Sequence, residues 1–121
     1  AVEAAIMTPD DRYEAGIFAL NLGGQLKDQT LQRKGVNLIV DSNAAPAELK
    51  PAYVFQQGVF AYGDKDYPGA EKKMLEAYNM GYRGNNVEVQ ISNAYRLQNN
   101  YGEAMKWLDT AVKAAKAHKT A

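Results

Sequence analysis

The chain has 121 residues, of which 46% are hydrophobic and 23% are charged, and this balance is typical of a single globular domain. Its fourteen basic and fourteen acidic residues cancel, so it has no long-range positive field to attract nucleic acid or an anionic membrane surface. It contains no cysteine, which excludes disulfides, thiolate metal sites and cysteine nucleophiles, and no apolar run approaches the roughly 18 residues of a membrane-spanning helix.

The N-terminal segment, residues 1–8, is short and rich in alanine, and we expect it to be a tail that precedes the first helix. The chain starts at Ala1 rather than at a methionine. An alanine-rich start is typical of the residues that follow a signal-peptide cleavage site, which favours a periplasmic or secreted protein. The alternative is a trimmed start, and the protein is then expected in the cytoplasm.

Six helices and no strand are predicted along the rest of the chain. Thr8 is placed to cap the first helix, with Pro9 at its first position, and Asp66 is placed to cap the fourth. Gly63 is expected to end the third helix. The predicted helices cover residues 9–27, 30–42, 51–62, 67–79, 86–98 and 101–117. Because almost every connection is short, successive helices should pack antiparallel.

Two segments between Ala52 and Ala114 can be aligned with each other after a shift of 34 residues. A fixed period in the mid-thirties is typical of stacked helix pairs. The shared positions hold small residues, an aromatic residue after a polar one, and a bulky residue in the second helix. The matches are Gly58 with Ser92, Ala61 with Tyr95, Asp66 with Asn100, Tyr67 with Tyr101, Ala70 with Ala104, Met74 with Leu108 and Ala77 with Ala111.

This pattern resembles the tetratricopeptide repeat family. The resemblance implies an all-α fold, a right-handed superhelix of three antiparallel helix pairs. Residues 51–84 and 85–118 are the two close copies, and residues 9–50 form a degenerate first copy. The first copy offers Leu22, Gly23, Leu26, Gly35, Ile39 and Ser42 at matching spacings.

The resemblance also implies packing roles for the repeated residues. Gly58 lets the two helices of its pair approach closely, and Met74 and Leu108 fill the space between neighbouring pairs. Tyr67 and Tyr101 lie under the turns and fix their angle. Because a single pair cannot bury its own apolar face, neighbouring pairs must stack.

In this family the first helix of each pair lines a concave surface, which is the usual binding site. The middle of that surface is apolar here and suits a hydrophobic side chain or a short helix of a partner. Asn93 and Arg96 suit a ligand backbone or carboxylate. With only Lys27 and Arg96, the basic clamp that some family members use for acidic C-terminal peptides is incomplete. The predicted groove residues are Leu20, Gly24, Lys27, Phe55, Val59, Tyr62, Val89, Asn93 and Arg96.

Other readings of these residues stay open. Phe55, Val59 and Tyr62 are alternatively core residues that another part of the molecule covers, and Asn93 and Arg96 are alternatively solvated surface. Catalytic chemistry is missing: the single histidine, His118, lies in a polar tail among lysines without a second histidine to share a metal. We therefore predict no catalytic residue, no metal site and no cofactor, and we expect a binding protein, not an enzyme.

The last predicted helix leaves an apolar end face, because no further pair follows Trp107, Leu108 and Val112. The predicted function is a protein-interaction module that binds a peptide or helix of a partner protein in the groove. The first alternative is a structural module that forms a homodimer through this end face. A second, more distant alternative is a small-molecule or glycan binder that uses the tyrosines.

Overall fold

A computed structural model of the chain describes residues 8–120, and in that part it contains six α-helices and no strand. The predicted tail lies outside the described residues except for Thr8. All six helices were predicted, with ends that differ by at most three residues. The helices are α1 (Pro9–Leu26), α2 (Gln29–Ser42), α3 (Lys50–Gly63), α4 (Tyr67–Asn79), α5 (Val87–Arg96) and α6 (Tyr101–Thr120).

Side-chain caps start α1, α2 and α4. The Asp11 amide donates to Thr8 Oγ1 at 3.1 Å and the Thr8 amide donates to Asp11 Oδ2 at 3.3 Å, so α1 opens with a capping box. The carboxylate of Asp28 accepts a hydrogen bond from the first turn of α2. Asp66 Oδ1 accepts from the Gly69 amide at 3.0 Å, which confirms Asp66 as the cap of α4.

α3 ends at Gly63, as predicted, but Gly63 does not adopt the left-handed conformation that turns the chain. That conformation falls on Lys65, with φ of 66°. Lys27 and Asn43 adopt the same conformation after α1 and α2, with φ of 53° and 57°. The positions of glycines therefore do not predict these helix ends, because Lys27, Asn43 and Lys65 adopt the left-handed conformation instead.

Successive helices pack antiparallel. Gly16, near the middle of α1, lies against Gly35 and Ile39, whereas Gly23, nearer its end, lies against Gln32 close to the start of α2. Among the described residues the extensive helix contacts join neighbours in sequence, and they are larger within α1–α2, α3–α4 and α5–α6 than between those pairs. The helices thus form a linear stack of three pairs.

Backbone-to-backbone packing holds the first pair together. A Cβ atom added at Gly35 would lie 2.6 Å from the Leu20 amide nitrogen and 2.7 Å from the Gly16 carbonyl oxygen. Only the absence of a side chain lets α1 and α2 come so close. Gly24 is different, because a Cβ there would meet nothing within 4 Å. In α1, Gly16 and Gly23 therefore lie at the close contact with α2, and Gly24 does not.

One buried cluster spans the middle of the stack and joins α3, α4 and α5. Met74 is 0% exposed and lies against Gly58, as expected for a residue that fills the space beside a close helix contact. Val87 and Ile91 of α5 are also fully buried in this cluster. The second pair is therefore covered on this side by the first helix of the third.

Candidate functional site

The predicted groove residues of α3 fall into two groups. Phe55 is only 3% exposed and stacks on Tyr82, with ring centroids 4.6 Å apart, so it belongs to the core and is not open to a ligand. This corrects the prediction for Phe55 and agrees with the alternative reading of that residue. Val59 and Tyr62 are half-buried and pack against the same cluster. They leave part of their apolar surface accessible.

Sequence reasoning gave Tyr82 no role, although it covers Phe55. Tyr82 lies in the connection between α4 and α5, where Gly81 has φ of 104° and turns the chain. The Asn85 side-chain amide donates to the Tyr82 hydroxyl at 2.6 Å and so holds the ring at its hydroxyl end. The only sequence signal was an aromatic residue directly after a glycine turn, which does not say what the ring will cover.

Tyr62 is oriented by a second aromatic contact. Its ring meets the Tyr67 ring edge-on, with centroids 5.4 Å apart and planes at 72°. Tyr67 begins α4, so the contact links the end of α3 to the start of the next helix. This is the packing under the turn that the repeat predicted for Tyr67. The contact holds the Tyr62 ring in one direction, and the side chain remains half-buried.

The remaining predicted residues lie on α1 and α5. Val89 is 37% exposed, Asn93 is half-buried and Arg96 is exposed, and their spacing of four and three residues puts them on one face of α5. Leu20 on α1 is half-buried. The last two predicted members of the α1 strip are both exposed: Gly24 faces open space, and Lys27 lies in the turn after the helix, not on its face.

Two tyrosines, Tyr53 and Tyr95, have a pKa above the ordinary value of a phenol. Burial raises the pKa of Tyr95, and the nearby carboxylates of Glu71 and Glu103 raise it further. Burial together with the neighbouring Tyr13 raises the pKa of Tyr53. Both phenols are therefore neutral at physiological pH. Glu71 also accepts a hydrogen bond from the Gln98 side chain at 2.9 Å, so it connects α4 to the segment that follows α5.

A polar cleft of about 210 Å³ lies at the junction of α2 and α3. Arg33 reaches across it, donates to the Phe60 carbonyl oxygen at 2.6 Å and pairs with Asp64. The Gln57 side chain donates to Asn37 at 2.9 Å in the same cleft. These contacts connect the first helix pair to the second, so we assign the cleft a role in joining the pairs. The groove prediction did not include it.

The end face of the stack differs from its prediction, which named Trp107, Leu108 and Val112. The Trp107 ring packs edge-on against Tyr78 at 4.8 Å and is half-buried, so it is not part of an open face. Leu108 and Val112 are 42% and 46% exposed. Two residues that were not predicted join them, Met105 at 65% and Tyr101 at 60%. Because Tyr101 is so exposed, its predicted packing under the turn is also wrong.

Among the residues whose side chains the structure describes, no group of three His, Asp or Glu residues is placed to hold a metal ion. In that same part of the chain, none of the helices combines the length and the hydropathy that crossing a membrane requires. The side chain of His118 lies outside the described residues. Comparison of the chain with protein-family models, with curated proteins and with solved structures found no match.

Proposed function

We propose that this chain is a protein-interaction module that binds a peptide or helix of a partner protein, and that it acts by binding, not by catalysis. In this proposal the three helix pairs form a right-handed superhelix of the tetratricopeptide type, with α1, α3 and α5 on its concave side. The observation that carries the proposal is the position of Val59 and Tyr62. Both are apolar, half-exposed and backed by a fully packed cluster.

A rigid backing matters for affinity. A side chain that is already held in one direction loses little conformational entropy when a ligand covers it. Tyr62 meets this condition because Tyr67 packs against its ring, and Val59 meets it because its side chain is branched at Cβ. Phe55 is buried in the cluster against which both side chains pack. An apolar anchor side chain of a partner is therefore the expected occupant.

The polar residues of α5 set the expected chemistry of the rest of the ligand. Asn93 and Arg96 lie on the same helix face as Val89, about one and two turns further along. An exposed guanidinium binds a carboxylate in two parallel hydrogen bonds, and an amide binds a peptide backbone. Lys27 lies in the turn after α1, so it is not placed to add a second positive charge from that helix. We therefore expect a peptide with one apolar anchor and a single acidic group near it.

The proposal can be tested with a displayed library of random peptides, followed by binding measurements on the selected sequences. The double variant Val59→Glu with Tyr62→Glu should weaken the selected peptides by at least about tenfold, because it places charges where an apolar anchor docks. The matched control is Leu49→Glu with Met80→Glu, which changes two exposed apolar residues elsewhere. The control should bind like the parent protein, and circular dichroism should show equal helix content in all three.

A photo-crosslinking residue can then locate the peptide. Placed at Asn93 it should label the selected peptide, and placed at the exposed Lys72 on α4 it should not. If the control variant loses binding as strongly as the groove variant, or if labelling occurs from Lys72 instead, the proposed surface is wrong. A library that yields no binding peptide would count against the proposal as a whole.

A further inference from the structure

Each end of the stack exposes an apolar stripe. The α6 stripe consists of Tyr101, Met105, Leu108 and Val112, which are 42–65% exposed. The α1 stripe consists of Phe18, Leu22 and Leu26, where Phe18 is 69% exposed and Leu26 is 63% exposed. Residues spaced by three and four lie on one side of a helix, so both sets are continuous surfaces. Scattered apolar residues on a surface need no explanation, but two continuous stripes do.

The internal repeat shows what usually covers the α6 stripe. Leu108 corresponds to Met74 of α4, and Met105 corresponds to Glu71. Met74 is fully buried, because α5 packs over that side of α4. Glu71 binds Gln98, which follows α5 in the chain. The α6 stripe therefore occupies the positions on which the first helix of a following pair docks, and in residues 8–120 no such helix follows.

The same alignment shows what the α1 stripe resembles. With Gly23 aligned to Ser92, Phe18 and Leu22 take the positions of Val87 and Ile91. These two α5 residues are fully buried at the junction with α4. The α1 stripe is thus the docking side of a first helix, without a second helix beneath it among the described residues. Helices α1 and α6 thus carry the two halves of one junction.

Charge distinguishes between the ways in which two copies could meet. α1 carries three acidic residues and one arginine, whereas the described side chains of α6 include three lysines and two acidic residues. Two α6 helices, or two α1 helices, would bring like net charges together. One α1 and one α6 bring opposite net charges together, which favours that pairing and its encounter rate.

We propose that copies of this chain associate head to tail, with the α1 stripe of one copy docked on the α6 stripe of the next. The contact repeats the geometry of the α4–α5 junction inside the chain. Such a contact uses two different surfaces, so it continues into a filament or closes into a ring, depending on the rotation between copies. The groove on α3 is not part of the contact, so this proposal stands independently of the peptide-binding proposal.

Two double variants test the arrangement by blocking one stripe each. The first is Phe18→Glu with Leu26→Gln on α1, and the second is Met105→Lys with Val112→Lys on α6. All four positions are exposed, so the fold should persist, and circular dichroism checks that it does. The readout is the molar mass from light scattering and sedimentation velocity over a concentration series, with the parent protein beside the variants.

The expected result has three parts. The mass of the parent protein rises with concentration beyond that of a dimer, each variant alone stays monomeric, and an equimolar mixture of the two forms a one-to-one heterodimer that grows no further. A monomeric parent protein at every concentration would overturn the proposal. So would an α1 variant that still dimerises alone, which indicates a symmetric α6 contact, or a mixture that stays monomeric although the parent associates.

Discussion

Replacing Gly35 by alanine should destabilise the protein, although glycine-to-alanine changes inside helices normally do the opposite. In an exposed helix interior the change stabilises by about 1 kcal/mol, because alanine has the better helix propensity. At Gly35 the new methyl carbon would lie 2.6 Å and 2.7 Å from two backbone atoms of α1. Backbone atoms cannot rotate away as a side chain can, so α1 and α2 must separate.

The expected size follows from these opposing effects. Overpacking a tight interior costs about 1–3 kcal/mol, and separating two helices also weakens the contacts beside the new methyl group. We expect Gly35→Ala to lower the free energy of unfolding by about 1–3 kcal/mol after the propensity gain is included. Gly24→Ala, in the same helix pair, should raise it by about 0.5–1 kcal/mol, because a Cβ there meets nothing within 4 Å.

Urea denaturation followed by circular dichroism measures both changes. The midpoint should fall for Gly35→Ala and rise for Gly24→Ala, with the slope of the transition unchanged. The comparison is internal, because the two substitutions have the same chemistry and differ only in their surroundings. If both variants shift the midpoint upwards by the same amount, the backbones of α1 and α2 are not in close contact at Gly35.

Two further predictions concern the second and third pairs. Met74→Ala should lower the free energy of unfolding by about 2–5 kcal/mol, because it empties a fully buried position. Leu108→Ala should lower it by about 1 kcal/mol or less, since Leu108 is 42% exposed. Urea titration of dilute protein measures both values, and equal values would contradict the difference in burial. The pKa of Tyr95 is raised above its ordinary value of 10.0 by burial and nearby carboxylates, so its contribution to stability is complete below pH 10 and is lost as the pH rises through its folded pKa. Tyr95→Phe should therefore make the loss of stability above pH 10 less steep, and an unchanged slope would contradict the assignment.

Helix positions could be predicted because their signals are local. The carboxylate of Asp66 and the hydroxyl of Thr8 bond to amides three residues away, so a short stretch of sequence contains both partners of each bond. The repeat contributed the order of the helices and the close contact at Gly58. These features depend on spacing along one chain segment, which is what a sequence displays directly.

Burial could not be predicted to the same degree, because it depends on what lies across a gap in space. Met74 and Leu108 occupy matching repeat positions, yet one is fully buried and the other is 42% exposed. The difference is that α5 covers Met74, whereas no helix within residues 8–120 covers Leu108 in the same way. Phe55 shows the same limit, since the ring that covers it comes from Tyr82, 27 positions later in the chain.

The proposed groove and the proposed docking stripes use different faces of the same helices, and this has a functional consequence. On α1, Leu20 belongs to the groove and Leu22 belongs to the stripe. Residues that are two positions apart on an α-helix point about 200° apart around its axis. Docking of copies therefore leaves each groove free. A head-to-tail array would then present many copies of one peptide site in a row. A partner with repeated peptide motifs would bind such an array far more tightly than it binds one copy, because each further contact is intramolecular. Blocking either stripe should remove that gain and leave the affinity for a single peptide unchanged.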